Sequence, residues 1–180
     1  MRIILIKVLI YFPQIMFSQE HWETAIFAGD YWNYLIPEEE LPTEWNGIGF
    51  DDSDWNVGAG GFGYGDGDDG TIINSTISVY FRKEFPVIDL SKLSSAVISA
   101  DYDDGFVAYL NGNEIGRSNN LSEPGTFVPY DQSTSYDHEA SLYSGGLPES
   151  IVLDSLSLDT LLNDGENIFA IQVHNVGINS

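Results

Sequence analysis

The chain has 180 residues, of which 43% are hydrophobic and 13% aromatic. This composition suits one packed domain and excludes an intrinsically disordered segment. Six Lys and Arg stand against 28 Asp and Glu, for a net charge of −22. So acidic a chain has no basic face for nucleic-acid phosphates or an anionic membrane, and both partners are excluded. Cysteine is absent, which excludes disulfides, thiolate metal sites and a cysteine nucleophile.

The first 18 residues are typical of a secretory signal peptide. Arg2 stands near the start, an apolar run follows over residues 3–17, and polar sequence begins abruptly at Ser18. The apolar run is too short to span a membrane, so we expect no membrane insertion. A buried N-terminal strand or helix is the alternative interpretation. The pattern favours the signal peptide and predicts a secreted or cell-surface protein with one domain over residues 19–180.

Short strands separated by turns are predicted along the rest of the chain, which contains 18 glycines and no sustained 3.6-residue period. Alternating or apolar segments predict strands at residues 77–85, 96–101, 106–110, 113–116, 151–153 and 167–174. Pro86 is expected to end the first of these strands. In the last, Phe169, Ile171 and Val173 share one face and His174 lies on the other.

Turn and helix signals complete the fold prediction. Asn111-Gly112 favours a type I′ hairpin turn, because both of its positions need positive φ. One helical turn is predicted at 159–163, with Gly165 as its stop, and another short turn near 50–55. Strands joined by turns in this way predict an all-β fold, an antiparallel β-sandwich without an internal domain boundary.

Several segments, taken together and in order, resemble one family. They are GDYWNY at 29–34, Trp45 with FDDSDW at 50–55, GYGDGD at 63–68, YFRKEF at 80–85, DDGFVAYLNG at 103–112 and NIFAIQVH at 167–174. The set resembles the galactose-binding-domain-like jelly rolls. Such modules accompany CotH-type kinase-like domains in secreted bacterial proteins, and similar sugar-binding jelly rolls precede the catalytic barrel of family 2 glycoside hydrolases.

The resemblance covers nearly all of residues 25–175 and implies a fold and a context rather than a reaction. It implies a jelly roll inside a larger polypeptide. In the related modules another strand follows the segment that matches residues 173–175. The resemblance therefore predicts that this chain lacks the last strand of its sandwich and that further domains follow.

Two acidic turns are the strongest candidates for ligand binding. Residues 66–70 and 101–105 share the pattern D-x-D-D-G. Ca²⁺ takes about six to eight oxygen ligands, which clustered carboxylates supply. The candidate calcium ligands are Asp66, Asp68, Asp69, Asp101, Asp103 and Asp104. Neither turn is an EF-hand, since each lacks a Glu at the twelfth position. The alternative is that Asp and Gly simply form the turns through their own hydrogen bonds.

Two further residues are candidates for contact with a ligand. Tyr64 lies in a glycine-rich loop, where an exposed ring could stack on a sugar. His174 is the second, although a structural role is favoured for it. The four tryptophans lie in the first third of the chain and offer either a carbohydrate platform or core filling, and core filling is favoured for Trp32 and Trp55.

No catalytic residue is predicted. The glycines at 58–63 and 65–70 match G-x-G-x-x-G, but no helix follows them, as a dinucleotide site requires. No G-x-S-x-G motif occurs. The sequence predicts a non-catalytic accessory or binding module, with a glycan and neighbouring domains of the same polypeptide as partners and Ca²⁺ as its cation. The alternative is a structural N-terminal domain of an extracellular enzyme.

Overall fold

A computed structural model describes residues 21–64, 67 and 69–179 of the chain, so the predicted signal peptide at 1–18 lies outside the described residues. The strands within the described part are β1 Tyr31–Leu35, β2 Asn56–Ala59, β3 Phe62–Gly63, β4 Thr71–Ile72, β5 Ser78–Val87, β6 Ser95–Ala100, β7 Gly105–Leu110, β8 Asn113–Arg117, β9 Glu149–Asp154 and β10 Gly165–His174. A helix, α1, spans Ser155–Leu161, and short 3-10 helices lie at Thr43–Asn46, Leu90–Lys92 and Leu142–Ser144.

The main layer is a six-stranded sheet with the order β2-β1-β5-β10-β7-β8, and every pair within it is antiparallel. Its central strand, β10, pairs with β5 along its whole length and with β7 on the other side. The second layer consists of the antiparallel ribbon β6-β9 together with α1. A short ribbon of β3 and β4 is parallel, which the antiparallel prediction missed. The all-β sandwich predicted from the sequence is confirmed.

One hydrophobic core lies between the six-stranded sheet and the β6-β9 layer. Phe85, Phe106 and Phe169 project into it from three neighbouring strands, and Leu153 and Leu158 meet them from β9 and α1. Leu158 has no exposed surface. Burying side chains of this size contributes about 1.5–3 kcal/mol each, so this core supplies the main stabilisation of the sandwich.

A second core covers the opposite face of the six-stranded sheet. Trp45 packs edge-on against Tyr80 at 4.6 Å between ring centroids and lies beside Ile168. Phe50 and Trp55 pack onto the same cluster, so the acidic segment between them is anchored by two rings. The core-filling role favoured for Trp55 is therefore confirmed. Trp32 packs on Phe169 in the first core, which confirms the same role for it.

The hairpin turn is as predicted. Asn111 and Gly112 have φ values of 50° and 87°, the positive pair that a type I′ turn needs. The side chain of Asn111 also donates to the Leu161 carbonyl and accepts from the Ile168 amide, so the turn is tied to the end of α1 and to β10.

Two boundaries differ from the predictions for physical reasons. β5 continues through Pro86. Proline has no amide hydrogen to donate, but the pairing of β5 with β1 ends at Arg82, so Pro86 has no bond to β1 to lose. The helix predicted at 159–163 begins earlier, at Ser155, because the Asp154 carboxylate accepts the Ser157 amide as an N-cap.

The helical turn expected near 50–55 is wrong, since that segment forms a hydrogen-bonded turn and the 3-10 helix precedes it at Thr43–Asn46. No helix in the described part of the chain has the length and apolar content that crossing a bilayer requires.

Candidate functional site

The acidic turn at 101–105 uses its carboxylates to hold the fold together. Asp101 accepts the backbone amides of Ser141 and Leu142, at 2.6 and 3.1 Å. Asp104 is 1% exposed and accepts the amides of His138 and Val176, at 2.8 and 2.6 Å. These bonds join the turn to two distant segments, whereas the turn-forming alternative expected hydrogen bonds within the turn itself; the carboxylates of Asp101 and Asp104 serve the fold through long-range contacts.

Asp103, the third acidic residue of this turn, is exposed beside Asp104. Partial burial and the neighbouring charge of Asp104 raise the pKa of its carboxyl to about 6. Among the described residues, no three His, Asp or Glu side chains are grouped so that they could hold a metal ion. The structure therefore does not support calcium at Asp101, Asp103 and Asp104.

The first acidic turn is only partly described, because Asp66 and Asp68 lie outside the described residues. Asp69 is half-buried, and its carboxylate lies so close to Gly63 that a Cβ there would be 2.3 Å from Oδ1. Calcium binding at this turn stays a prediction.

Tyr64 lies at the same end of the sandwich as the second acidic turn. Its hydroxyl accepts a hydrogen bond from the Asn175 side chain at 3.2 Å. Burial, followed by the charges of Asp103 and Asp104, raises the pKa of the phenol. The structure thus brings Tyr64, Asp103 and Asp104 together, but it places Tyr64 as a half-buried residue bonded to the fold.

His174 has no exposed surface. Its Nδ1 lies 2.7 Å from the Gln132 carbonyl oxygen, so Nδ1 is the protonated donor. Burial lowers the pKa of the imidazole to about 4, which keeps the ring neutral. A ligand at the surface therefore cannot reach this side chain, and the structural role favoured for His174 fits its position.

A cleft of about 400 Å³ opens elsewhere, on the face of the six-stranded sheet that carries the second core. We call it the sheet-face cleft. Its floor is formed by β1, β5 and β10, and its side by the loop at residues 48–52. The volume lies within the usual range of small-ligand sites.

Strand register explains which side chains face the sheet-face cleft. Asn33 pairs with Arg82, and Arg82 pairs with Ala170, so these three residues share one face. Tyr31 and Glu84 lie two residues away on the same strands and therefore share that face as well. Tyr31 is 67% exposed, and Ile48 is 51% exposed in the adjoining loop. The cleft thus combines an uncovered aromatic ring with amide and carboxylate groups.

Arg82 fixes the wall of this cleft. It is 3% exposed, and its Nε donates to Asp52 Oδ2 at 2.6 Å. Its Nη1 donates to the carbonyls of both Trp45 and Gly47, the latter at 3.1 Å, and the guanidinium lies 5.2 Å from the Phe50 ring centre. One buried cation therefore holds the whole 45–52 loop against the sheet.

Sequence reasoning missed both Tyr31 and Arg82 as residues of this site. A signal for Tyr31 exists only once β1 is known to be a strand, because Tyr31 and Trp32 are neighbours on it and Trp32 packs into the first core. The neighbouring ring must then project from the opposite face. Arg82 gave no such signal, since its partners lie 30 to 37 residues away in the chain.

Comparison with known proteins identifies relatives in fold. No family model matches the sequence, and no curated protein matches it. A β-glucuronidase from glycoside hydrolase family 2 matches with a TM-score of 0.50 and 17% identity over 82% of this chain and 13% of that one. Bifidobacterium dentium β-glucuronidase complexed with coumarin-3-O-glucuronide matches with a TM-score of 0.49 and 18% identity, over 81% and 19%. A calcium binding mutant of Bacteroides uniformis β-glucuronidase 2 gives 0.47 and 17%, over 83% and 14%.

The match with a TM-score of 0.50 agrees with the family 2 part of the resemblance found in the sequence, and it shows the fold: a β-sandwich domain. The chain spans 13–19% of the length of the three proteins. The resemblance to modules beside CotH-type domains stays a prediction.

Proposed function

We propose that this chain is a non-catalytic carbohydrate-binding module of a larger secreted polypeptide, and that it holds glycan in the sheet-face cleft. The observation that carries the proposal is Tyr31, an aromatic ring 67% exposed on the floor of the sheet-face cleft. A sugar presents C–H groups on its ring face and hydroxyls around its edge. Tyr31 offers a stacking surface for the first, and Asn33 and Glu84 offer hydrogen-bonding groups for the second.

Other features support a binding role rather than catalysis. The carboxylates of Asp101 and Asp104 are engaged with backbone amides, and the His174 imidazole is buried. A positioned acid and base or a nucleophile must instead reach a substrate. The chain spans 13% of the length of the family 2 β-glucuronidase, which supports the proposal that it is one domain of a larger polypeptide. The signal-like segment at 1–18 supports secretion.

The test is glycan binding by variants of the 180-residue chain, measured by calorimetry against a panel of soluble oligosaccharides. Tyr31→Ala should weaken binding about tenfold, because stacking on an aromatic ring contributes about 1 kcal/mol or more. Tyr31→Phe keeps the ring and should keep most of the affinity. Tyr143→Ala is the matched control, since Tyr143 is 74% exposed and does not line the cleft.

Tyr64→Ala tests the candidate that the sequence favoured and should leave affinity unchanged. Melting curves of every variant must show an intact fold. Unchanged affinity in Tyr31→Ala, or no binding to any oligosaccharide of the panel, contradicts the proposed function.

A second candidate is a structural domain that packs on a neighbouring domain of the same polypeptide. Val97 and Val152 stand directly opposite each other on the outer face of the β6-β9 ribbon, 46% and 68% exposed. Leu156, in α1 directly after β9, is 75% exposed. Val152→Asp should then destabilise the longer polypeptide while leaving the melting midpoint of this chain alone unchanged. Equal effects on both would contradict this role.

A further inference from the structure

We infer that the sheet-face cleft selects glycans by charge, preferring sugars with a free ammonium group over neutral sugars and neutral sugars over uronates. Glu84 and Glu166 are the specificity-determining residues. The inference rests on the proposed carbohydrate-binding function and assigns its ligand class.

The two glutamates lie close together on the floor of the cleft. Glu84 pairs with Ile168, and Glu166 pairs with Pro86, two residues further along β5. Glu84 and Pro86 are two residues apart on β5 and share a face of the sheet, and Glu166 shares it because it pairs with Pro86. Both carboxylates therefore project on the face that carries Tyr31. Such diagonal positions on paired strands are about 7–8 Å apart. Both glutamates are exposed and both line the cleft, so a ligand in the cleft can touch them.

The basic groups of the cleft are already engaged. Arg82 is buried on Asp52 and the loop carbonyls. Lys83 Nζ donates to the Tyr31 carbonyl at 2.9 Å and lies 3.9 Å from an Asp30 carboxylate oxygen. Within the described residues no salt bridge joins Glu84 or Glu166 to a basic side chain. The cleft therefore presents two uncompensated negative charges to its ligand.

Each ligand class meets these charges differently. A uronate brings a further negative charge beside the two uncompensated glutamates and is repelled, and the chain's net charge of −22 adds to the repulsion. A neutral sugar can donate its hydroxyls to the carboxylates. An amino sugar adds an ammonium group, which the glutamates attract and which also gains a cation–π contact on the Tyr31 ring. The order of affinity follows from these three differences.

The test uses β-1,4-linked hexamers of glucosamine, glucose and glucuronate; the glucosamine and glucuronate hexamers each differ from the glucose hexamer at one substituent per ring. Calorimetry at low salt should show the glucosamine hexamer binding about five- to thirtyfold tighter than the glucose hexamer, from two exposed charge contacts and one cation–π contact. The glucuronate hexamer should bind weakest. At 0.5 M NaCl these gaps should shrink severalfold, because the screening length falls well below 10 Å.

Glu84→Gln combined with Glu166→Gln should remove most of the preference for glucosamine and restore binding of the glucuronate hexamer. Glu38→Gln combined with Glu39→Gln makes the same charge change outside the cleft and should leave the order intact. If the glucuronate hexamer binds wild type as tightly as the glucose hexamer, or if both double variants behave alike, charge selection by this cleft is wrong while carbohydrate binding stands. If no hexamer binds while another oligosaccharide of the panel does, this inference fails and carbohydrate binding stands; if nothing in the panel binds, both fail.

Discussion

Replacing Arg82 by methionine should destabilise the fold by about 3–5 kcal/mol, the usual cost of removing one partner of a buried ion pair. Arg82 is 3% exposed and Asp52 is 23% exposed, so water cannot fully replace the lost partner. Methionine fills much of the same volume, so the loss comes from unpaired polar groups rather than from a cavity. These groups are the Asp52 carboxylate and the carbonyls of Trp45 and Gly47.

The loss should appear as a fall in the melting midpoint. For a domain of this size, 1 kcal/mol corresponds to about 2–4 °C, so Arg82→Met should lower the midpoint by about 6–20 °C. Circular dichroism melting and urea denaturation at pH 7 measure the effect. Arg82→Lys keeps the charge but loses the planar fork of donors, and it should fall between wild type and Arg82→Met.

Lys92→Met supplies the matched control. Lys92 pairs with Asp89 at 2.9 Å, but it is 80% exposed, and its removal should leave the midpoint unchanged. A midpoint of Arg82→Met within about 2 °C of wild type would refute the view that Arg82 holds the 45–52 loop. An equal fall in Lys92→Met would mean that net charge, rather than the buried pair, sets the stability.

The remaining predictions concern His174 and Gly105. Burial lowers the pKa of His174 to about 4, whereas a histidine in the unfolded chain has a pKa of about 6.5. Between these two pH values only the unfolded state takes up a proton. The free energy of unfolding should therefore fall by about 2–3 kcal/mol from pH 7 to pH 4.5. The pKa of Asp103 is raised to about 6, so its titration changes the stability in the opposite direction over the same pH range. Urea denaturation should therefore compare Asp103→Asn with the double variant Asp103→Asn, His174→Gln. Equal slopes of the unfolding free energy against pH in the two proteins would contradict the prediction. Gly105→Ala should cost about 1–3 kcal/mol, because its Cβ would lie 2.7 Å from Thr134 Cγ2, whereas Gly29→Ala, with no atom within 4 Å, should not.

Local patterns were enough to predict the strands that carry alternating residues and the turn that joins two of them. β10 follows from apolar residues that recur at period two, β7 from a short apolar run, and β8 from the hairpin turn at Asn111-Gly112, which follows from its own backbone preference. These features depend on neighbours within a few residues. β1 carries aromatics on both of its faces, so no alternation marks it, and the prediction passed over it.

The site depended on contacts that no local pattern contains. The Val176 amide donates a hydrogen bond to Asp104 across a sequence separation of 72 residues. This bond gives a carboxylate that suits calcium a structural role in the turn. Alternation placed His174 opposite Phe169 correctly, but that face is covered by the segment around Gln132, 42 residues earlier. The core assignment of Trp32 would have placed Tyr31 on the outer face only if β1 had also been predicted as a strand. The register that sets Tyr31 beside Glu84 was not.

The central position of β10 in the six-stranded sheet constrains how the chain can be made. β5 and β7 leave the ribosome well before residues 165–174, and neither can complete its pairing until β10 inserts between them. Until then the nascent chain holds two separate halves, β2-β1-β5 and β7-β8, each with an edge strand whose backbone groups are unpaired. Such edges pair readily with other chains, and closing contacts so distant in sequence is slow. Insertion of β10 thus decides whether the two halves join into the six-stranded sheet or aggregate through their open edges.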